Sequence, residues 1–185
     1  MAELFWQFLI YSFFGFLLEV AFARVTRASK RDRKCMYFLP LCPVYGLGAV
    51  LIVHLPAAVR GRPLLLFLCG VLAATGVEYV MDLFYEKALG VRFWDYSALP
   101  WNWNGRVCLL FSGIWGLLAL ALTAWVHPAV ARWTAAIPRG WALPAFLFFL
   151  LDAFFTILLL RATGDTASLR WYDGLRKKLG VKSRE

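Results

Sequence analysis

Charged side chains are scarce in this chain. They make up 17% of its 185 residues, while 62% are apolar. An ordinary soluble domain carries roughly 25% charged residues, and one of this size has no interior able to hide so much apolar surface. A bilayer removes that difficulty, because lipid replaces water around the outer faces of helices. Histidine is rarer still, with only His54 and His127, and no HExxH or similar ligand set occurs. Cys35, Cys42, Cys69 and Cys108 form no CxxC pair and show no disulfide-like spacing. Neither a zinc site nor a disulfide framework is expected, and no cofactor. There is no GxxxxGK[ST] stretch, so any ATP-driven role needs a separate ATPase subunit. Internal repeats, low-complexity segments and the inverted repeats of many transporters are also missing. Acidic residues number 11 against 20 basic ones, a net charge of +9. In a soluble protein that balance would suggest nucleic acid. Here the basic residues sit between and after apolar runs, so no nucleic-acid partner is expected, and the charge reports topology and anionic headgroups.

What the sequence does contain is a series of apolar runs long enough to cross a membrane. The expected fold is all-α: a polytopic bundle of about five spans over residues 1–161, followed by a basic tail over 162–185. The spans are read as Leu4–Ala23, Pro40–Val59, Leu64–Tyr85, Val107–Val126 and Ala142–Leu160. His127-Pro128 is expected to end the fourth, since proline cannot continue the hydrogen-bond ladder. Ala21-Phe22-Ala23 imitates a signal-peptidase site, but no basic residue precedes the first run and many follow it. That is the reverse of a secretory leader, so the run is read as a retained helix. The tail over Ser168–Leu179 reads either as a short helix on the inner leaflet or as a solvated basic segment.

Orientation follows from counting Lys and Arg. With the N-terminus outside, the inner segments hold six, three and seven of them, 16 in all, and the outer segments hold Arg60, Arg62, Arg132 and Arg139. The positive-inside rule favours this arrangement, with the C-terminus in the cytoplasm.

Ionisable residues within the spans are costly and therefore informative. Ser12, Gly15 and Glu19 share one helical face, as do Thr75, Glu78 and Asp82. Cys42, Tyr45, Gly46 and Ala49 form a third small or polar stripe, and such stripes allow helices to pack closely. Alternation of direction puts Glu19, Tyr45 and Glu78 at one level with the connection from Glu86 to Arg106. That connection mixes Phe93, Trp94, Tyr96, Trp101 and Trp103 with Asp95, Asn102, Asn104 and Arg106. A simple aromatic belt explains the rings but not the polar residues. The loop is therefore predicted to be structured and folded against the bundle. Glu19, Tyr45, Glu78, Asp95, Tyr96, Asn104 and Arg106 are the candidate polar cluster or substrate-binding set, opening toward the cytoplasm. Arg106 is the expected partner of Glu19 or Glu78. The same pairing would serve as helix glue with no ligand at all. Asp152 sits alone and deep among Phe and Leu, with packing, proton relay and subunit contact all open. Both histidines read as interface residues.

Several stretches occur in a telling order. They are Phe14-Gly15-Phe16-Leu17-Leu18-Glu19, Pro40-Leu41-Cys42-Pro43-Val44-Tyr45-Gly46-Leu47-Gly48, Glu78-Tyr79 and Trp94-Asp95-Tyr96-Ser97. Asn104-Gly105-Arg106-Val107-Cys108 and Ser112-Gly113-Ile114-Trp115-Gly116 follow. Their combination resembles the CmpB-like family, labelled ABC-transporter type IV permeases, to which the vertebrate transmembrane protein 229 group is related. The resemblance covers about Phe5 to Pro138. It implies a polytopic protein, chiefly of bacterial cell membranes, with a permease role in the family's label. Leu39 departs from the family's usual glycine, and Lys34-Cys35 from a common Arg-Gly pair.

Three function classes remain open at this level. The first is a transporter or permease subunit for a small solute, which with so few helices needs a homo-oligomer or another subunit. The second is a membrane enzyme acting on a lipid or headgroup, with Glu19, Glu78, Asp95, Tyr45 and Arg106 as acid, base and anion contacts. The third is a structural or regulatory membrane subunit. Membrane lipids are partners under all three.

Overall fold

The computed structural model of the chain describes residues 1–26 and 34–170. Helices α1 (Ala2–Val25), α2 (Pro43–Val53), α3 (Ala57–Arg60), α4 (Pro63–Phe84), α5 (Leu109–Ala121), α6 (His127–Ala136) and α7 (Ala142–Thr163) account for most of it. Two two-residue strands, β1 (Asn102–Trp103) and β2 (Val107–Cys108), pair antiparallel with Asn102 opposite Cys108. Among the described residues, four continuous helical stretches are long and apolar enough to cross a membrane: Ala2–Val25, Pro63–Leu89, Leu109–Ala136 and Arg139–Thr163. Their outer faces carry exposed Leu64, Leu72, Leu117, Leu147 and Phe154, which suits lipid and not water. The chain is a helical membrane protein.

Two runs depart from the predicted spans. The second run is helical only over the 11 residues Pro43–Val53, about 16 Å at 1.5 Å per residue, roughly half of a bilayer core. Prolines explain both ends. A residue before proline is pushed out of the helical region, and Cys42 before Pro43 is extended at φ −117°, ψ 94°. Pro56 follows the last turn and starts α3. The fourth run does not stop at His127-Pro128. A π-helical turn, Leu122–Val126, intervenes, and α6 continues with Pro128 in its first turn. The wider turn accommodates the missing N–H and the ring that would otherwise clash with the preceding turn.

The half-length α2 leaves residues 34–42 as irregular backbone packed on α7. Such backbone survives at membrane depth only where protein supplies its hydrogen bonds. Asp152 and Thr156 supply them. Thr156 Oγ1 accepts the Tyr37 N–H at 2.9 Å, and the two carboxylate oxygens of Asp152 accept Phe38 N–H at 2.8 Å and Leu39 N–H at 2.7 Å. The Ser12 carbonyl takes the Cys42 N–H at 2.9 Å. Asp152 is thus the acceptor for a non-helical segment. The sequence left that role out because the segment was read as a loop entering a full helix.

Small residues bring α1 and α2 together. A Cβ on Gly46 would overlap the Ser12 hydroxyl and the Phe8 carbonyl, and one on Gly15 would overlap the Tyr45 side chain. The predicted stripes of these two helices therefore meet each other. On the other side of the bundle, Leu160 of α7 and Leu169 pack with Tyr85, Leu89 and Val91, anchoring α7 to the end of the α4 span. The tail over Ser168–Leu179, open to an interfacial helix or a solvated segment, lies mostly outside the described residues, which end just after a 3-10 turn at Thr166–Leu169.

Candidate functional site

The α1–α2 contact places two polar side chains of different helices together. Gly15 lets Tyr45 lie flat against α1, and one turn further on the Tyr45 hydroxyl donates to Glu19 Oε1 at 2.6 Å. Across from them, Glu78 of α4 is buried and takes two hydrogen bonds from neutral donors. The Tyr96 hydroxyl donates at 2.8 Å and the Trp115 indole N–H of α5 at 2.9 Å. The Tyr45 and Trp115 rings meet edge to face at 5.4 Å between centroids, joining the two carboxylate groups into one aromatic-walled cluster. Thr75, one turn from Glu78, donates to Ser112 of α5 at 2.8 Å and closes the α4–α5 seam.

Tyr96 arrives from the loop, and the loop's own bonds explain why it folds inward. Tyr96 N–H donates to the Gly105 carbonyl at 2.8 Å, and the Trp94 indole donates to the Arg106 carbonyl at 2.9 Å. The Asn102 amide donates to the Leu99 carbonyl at 2.7 Å and its oxygen accepts Gly105 N–H at 3.0 Å. The Tyr96 ring stacks on Phe111 at 4.9 Å. Burial pushes the Tyr96 hydroxyl well above its ordinary range, so it stays a donor. The structured aromatic and polar loop predicted between the third and fourth spans is present.

The candidate residues separate into three groups. Glu19, Tyr45, Glu78 and Tyr96 come together as described. Asp95 and Asn104 lie on the exposed side of the loop. Asp95 Oδ1 accepts Ser97 N–H at 2.9 Å and pairs with Arg92 at 3.7 Å; the Ser97 bond holds its carboxyl below the usual range. Asn104 stands at φ 54° beside Gly105 at φ 67° in the hairpin turn, a left-handed site that asparagine and glycine tolerate. Both residues shape the loop.

Arg106 forms the third group. It is buried, and it pairs with Asp82 at 2.5 Å and with Glu86, not with Glu19 or Glu78. Arg92 reaches the same Asp82 at 3.2 Å. The pairs with Glu86 and Asp82 raise the Arg106 guanidinium pKa further, so it is always charged. Helix geometry explains the substitution of partners. Glu78, Asp82 and Glu86 recur every four residues along one face, each about 6 Å further along the axis. The hairpin delivers Arg106 to the later pair and Tyr96 to the earlier residue. Glu86, Arg92 and Trp115 are the site residues that sequence reasoning did not single out. The four-residue spacing of the three acids was the available signal.

A cavity of about 710 Å³ opens from this cluster. Its far walls are apolar and come from Tyr11 and Phe14 of α1, Ile52 of α2, and Leu118, Leu122 and Val126 of the α5–α6 stretch. Glu19, Tyr45, Glu78, Tyr96 and Trp115 form its polar end. This is the proportion expected of a ligand pocket, mostly apolar with a few convergent polar groups.

A family model described as Putative ABC-transporter type IV matches residues 6–157. The chain belongs to this CmpB-type family. Neither the curated proteins nor the solved structures hold a significant match to it. The matched span of this CmpB-type chain contains the whole cavity, the loop and Asp152. Three further contacts lie within the span. The His127 Nδ1 meets the Tyr11 hydroxyl at 2.7 Å, tying the start of α6 to α1. His54 Nδ1 lies 2.9 Å from the Val50 carbonyl of its own helix. Cys35 and Cys42, seven residues apart, bring their Sγ atoms within 2.8 Å. Spacing alone gave no hint of it, because the chain between them is irregular.

Proposed function

We propose that this chain is the membrane-embedded, solute-binding component of a transport system, with the cavity as the solute site. The observation that carries this reading is the cavity itself. It is large, it lies between helices, and it has one polar end built from five separate elements. A purely structural set of helix contacts has no use for that volume, since close packing is more stable. The family description supports a transport role, and energy from ATP requires a separate ATPase subunit. The four long helices and one half-length helix among the described residues are few for a complete pathway, so a homo-oligomer or a second membrane subunit completes it. The 16-to-4 split of basic residues favours the N-terminus outside and the C-terminus in the cytoplasm of a bacterial cell. In that orientation the polar end of the cavity lies in the cytoplasmic half of the membrane.

The test is the distribution of small molecules between cells and medium. Strains without the chain, with the wild type, and with Glu78→Gln are compared by untargeted mass spectrometry. The expected result is at least one solute whose distribution shifts on deletion and is restored by the wild type but not by Glu78→Gln. Unchanged distributions of every solute, with the wild-type protein present in the membrane, would overturn the reading.

A further inference from the structure

We propose that the cavity is selective for a lipophilic organic cation: an apolar body carrying one ammonium-type charge, seated between Glu78 and the rings of Tyr45, Tyr96 and Trp115. This rests on the cavity being a solute site and adds the class of solute.

The charge of the lining comes first. Among the described residues that line the cavity, the carboxylates are Glu19 and Glu78, and the lining contains no Lys, Arg or His. Of the loop cations, Arg106 is engaged by Asp82 and Glu86 and Arg92 by Asp82 and Asp95, and Lys87 does not line the cavity. Glu78 has no ion pair among the described residues, and both of its bonds come from neutral donors. Each oxygen of a carboxylate has room for a second donor. A buried carboxylate with spare acceptor capacity and no counter-charge is costly to keep ionised, and a cationic ligand removes that cost. An anionic ligand would add to it.

The walls supply the second argument. Indole and phenol rings attract a cation through their negative faces, and more strongly when the site is dry. Trp115 and Tyr45 present two rings in edge-to-face contact at 5.4 Å, and Tyr96 adds a third beside the same carboxylate. The third argument is size. Ile52, Leu118, Leu122 and Val126 continue the cavity as an apolar chamber. A bare metal ion or a small hydrated ammonium ion leaves that chamber empty. A ligand with a bulky apolar body and a single positive charge uses both ends.

The experiment uses the full chain, purified in detergent, and two probes of one shape and opposite charge: tetraphenylphosphonium and tetraphenylborate. Equilibrium dialysis should show saturable binding of the cation, at least tenfold tighter than any binding of the anion. Glu78→Gln should lose at least tenfold in affinity for the cation while unfolding at a similar temperature. Leu118→Trp fills the apolar chamber without touching the carboxylates and should also abolish binding. It keeps the test valid if Glu78→Gln does not fold. Equal binding of the two probes overturns the inference, as does failure of the wild type to bind the cation. Cation binding unchanged in whichever of the two variants folds overturns it as well. Preferential anion binding that Leu118→Trp abolishes would sink the charge selectivity but leave the cavity as a solute site. Failure of the transport reading would appear instead in the solute distributions.

Discussion

The carboxylate of Asp152, on the last long helix, accepts the backbone N–H of Leu39 at 2.7 Å from a segment 113 residues earlier in the chain. With Phe38 on its other oxygen, it closes the hydrogen-bond account of the irregular backbone that precedes α2. Asp152 is fully buried. Removing it takes the protein acceptor from two backbone donors, a loss of about 1–3 kcal/mol each where water cannot replace it. Asp152→Ala should therefore lower the thermal unfolding midpoint in detergent, and Asp152→Asn, which keeps one acceptor, should lower it less. Equal effects of the two substitutions would count against this role.

Arg106 and Asp82 should be strongly coupled. Breaking a buried pair from one side costs about 3–5 kcal/mol when it strands a charge, and Arg92, which also reaches Asp82 at 3.2 Å, lessens that cost here. Arg106→Ala alone should thus destabilise more than Arg106→Ala combined with Asp82→Asn. A double-mutant cycle on unfolding in detergent measures the difference. The same cycle between Arg106 and Glu19 should be additive, since no ion pair joins them.

The Cys35–Cys42 contact predicts selective oxidation. An added mild oxidant should take two electrons and two protons from these thiols and join them. Thiol counting under denaturing conditions should fall from four to two, and peptide mapping should find the 35–42 link. Replacing Cys35 with serine should keep the remaining thiols monomeric and reduced. Links through Cys69 or Cys108 would contradict the geometry.

Gly46 should tolerate no side chain. A methyl group there meets the Phe8 carbonyl, which is backbone and cannot turn aside. Gly46→Ala should cost about 1–3 kcal/mol, the usual penalty for overpacking. Gly76, which has open space around it, serves as the control. Gly76→Ala should be neutral or slightly stabilising in its helix, by the same thermal measurement.

The sequence alone determined that this is a helical membrane protein with a folded loop, because apolar run length and the cost of buried charge are local properties. It also pointed to the faces of α1, α2 and α4 that pack together, since small and polar residues at helical spacing must avoid lipid. The family resemblance was legible in the order of short stretches. Tertiary structure decided the rest. Prolines at 40, 43 and 56 stand in the run read as one full span, but whether such a run stays whole, shortens or kinks depends on which neighbour satisfies its backbone, and Asp152 lies more than a hundred residues away. Pro128 was overridden by a π-helical turn whose Leu122 and Val126 pack with Tyr11 of α1 and Val53 of α2. The choice of Asp82 and Glu86 for Arg106, and of neutral donors for Glu78, turned on the register of a hairpin against α4. A one-turn difference of about 5.4 Å in that register separates an ion pair from an uncompensated carboxylate, and no spacing within the sequence fixes it. The cavity depended on helices separated along the whole chain. Its polar end was visible as residues, and its apolar chamber existed only once those helices were placed.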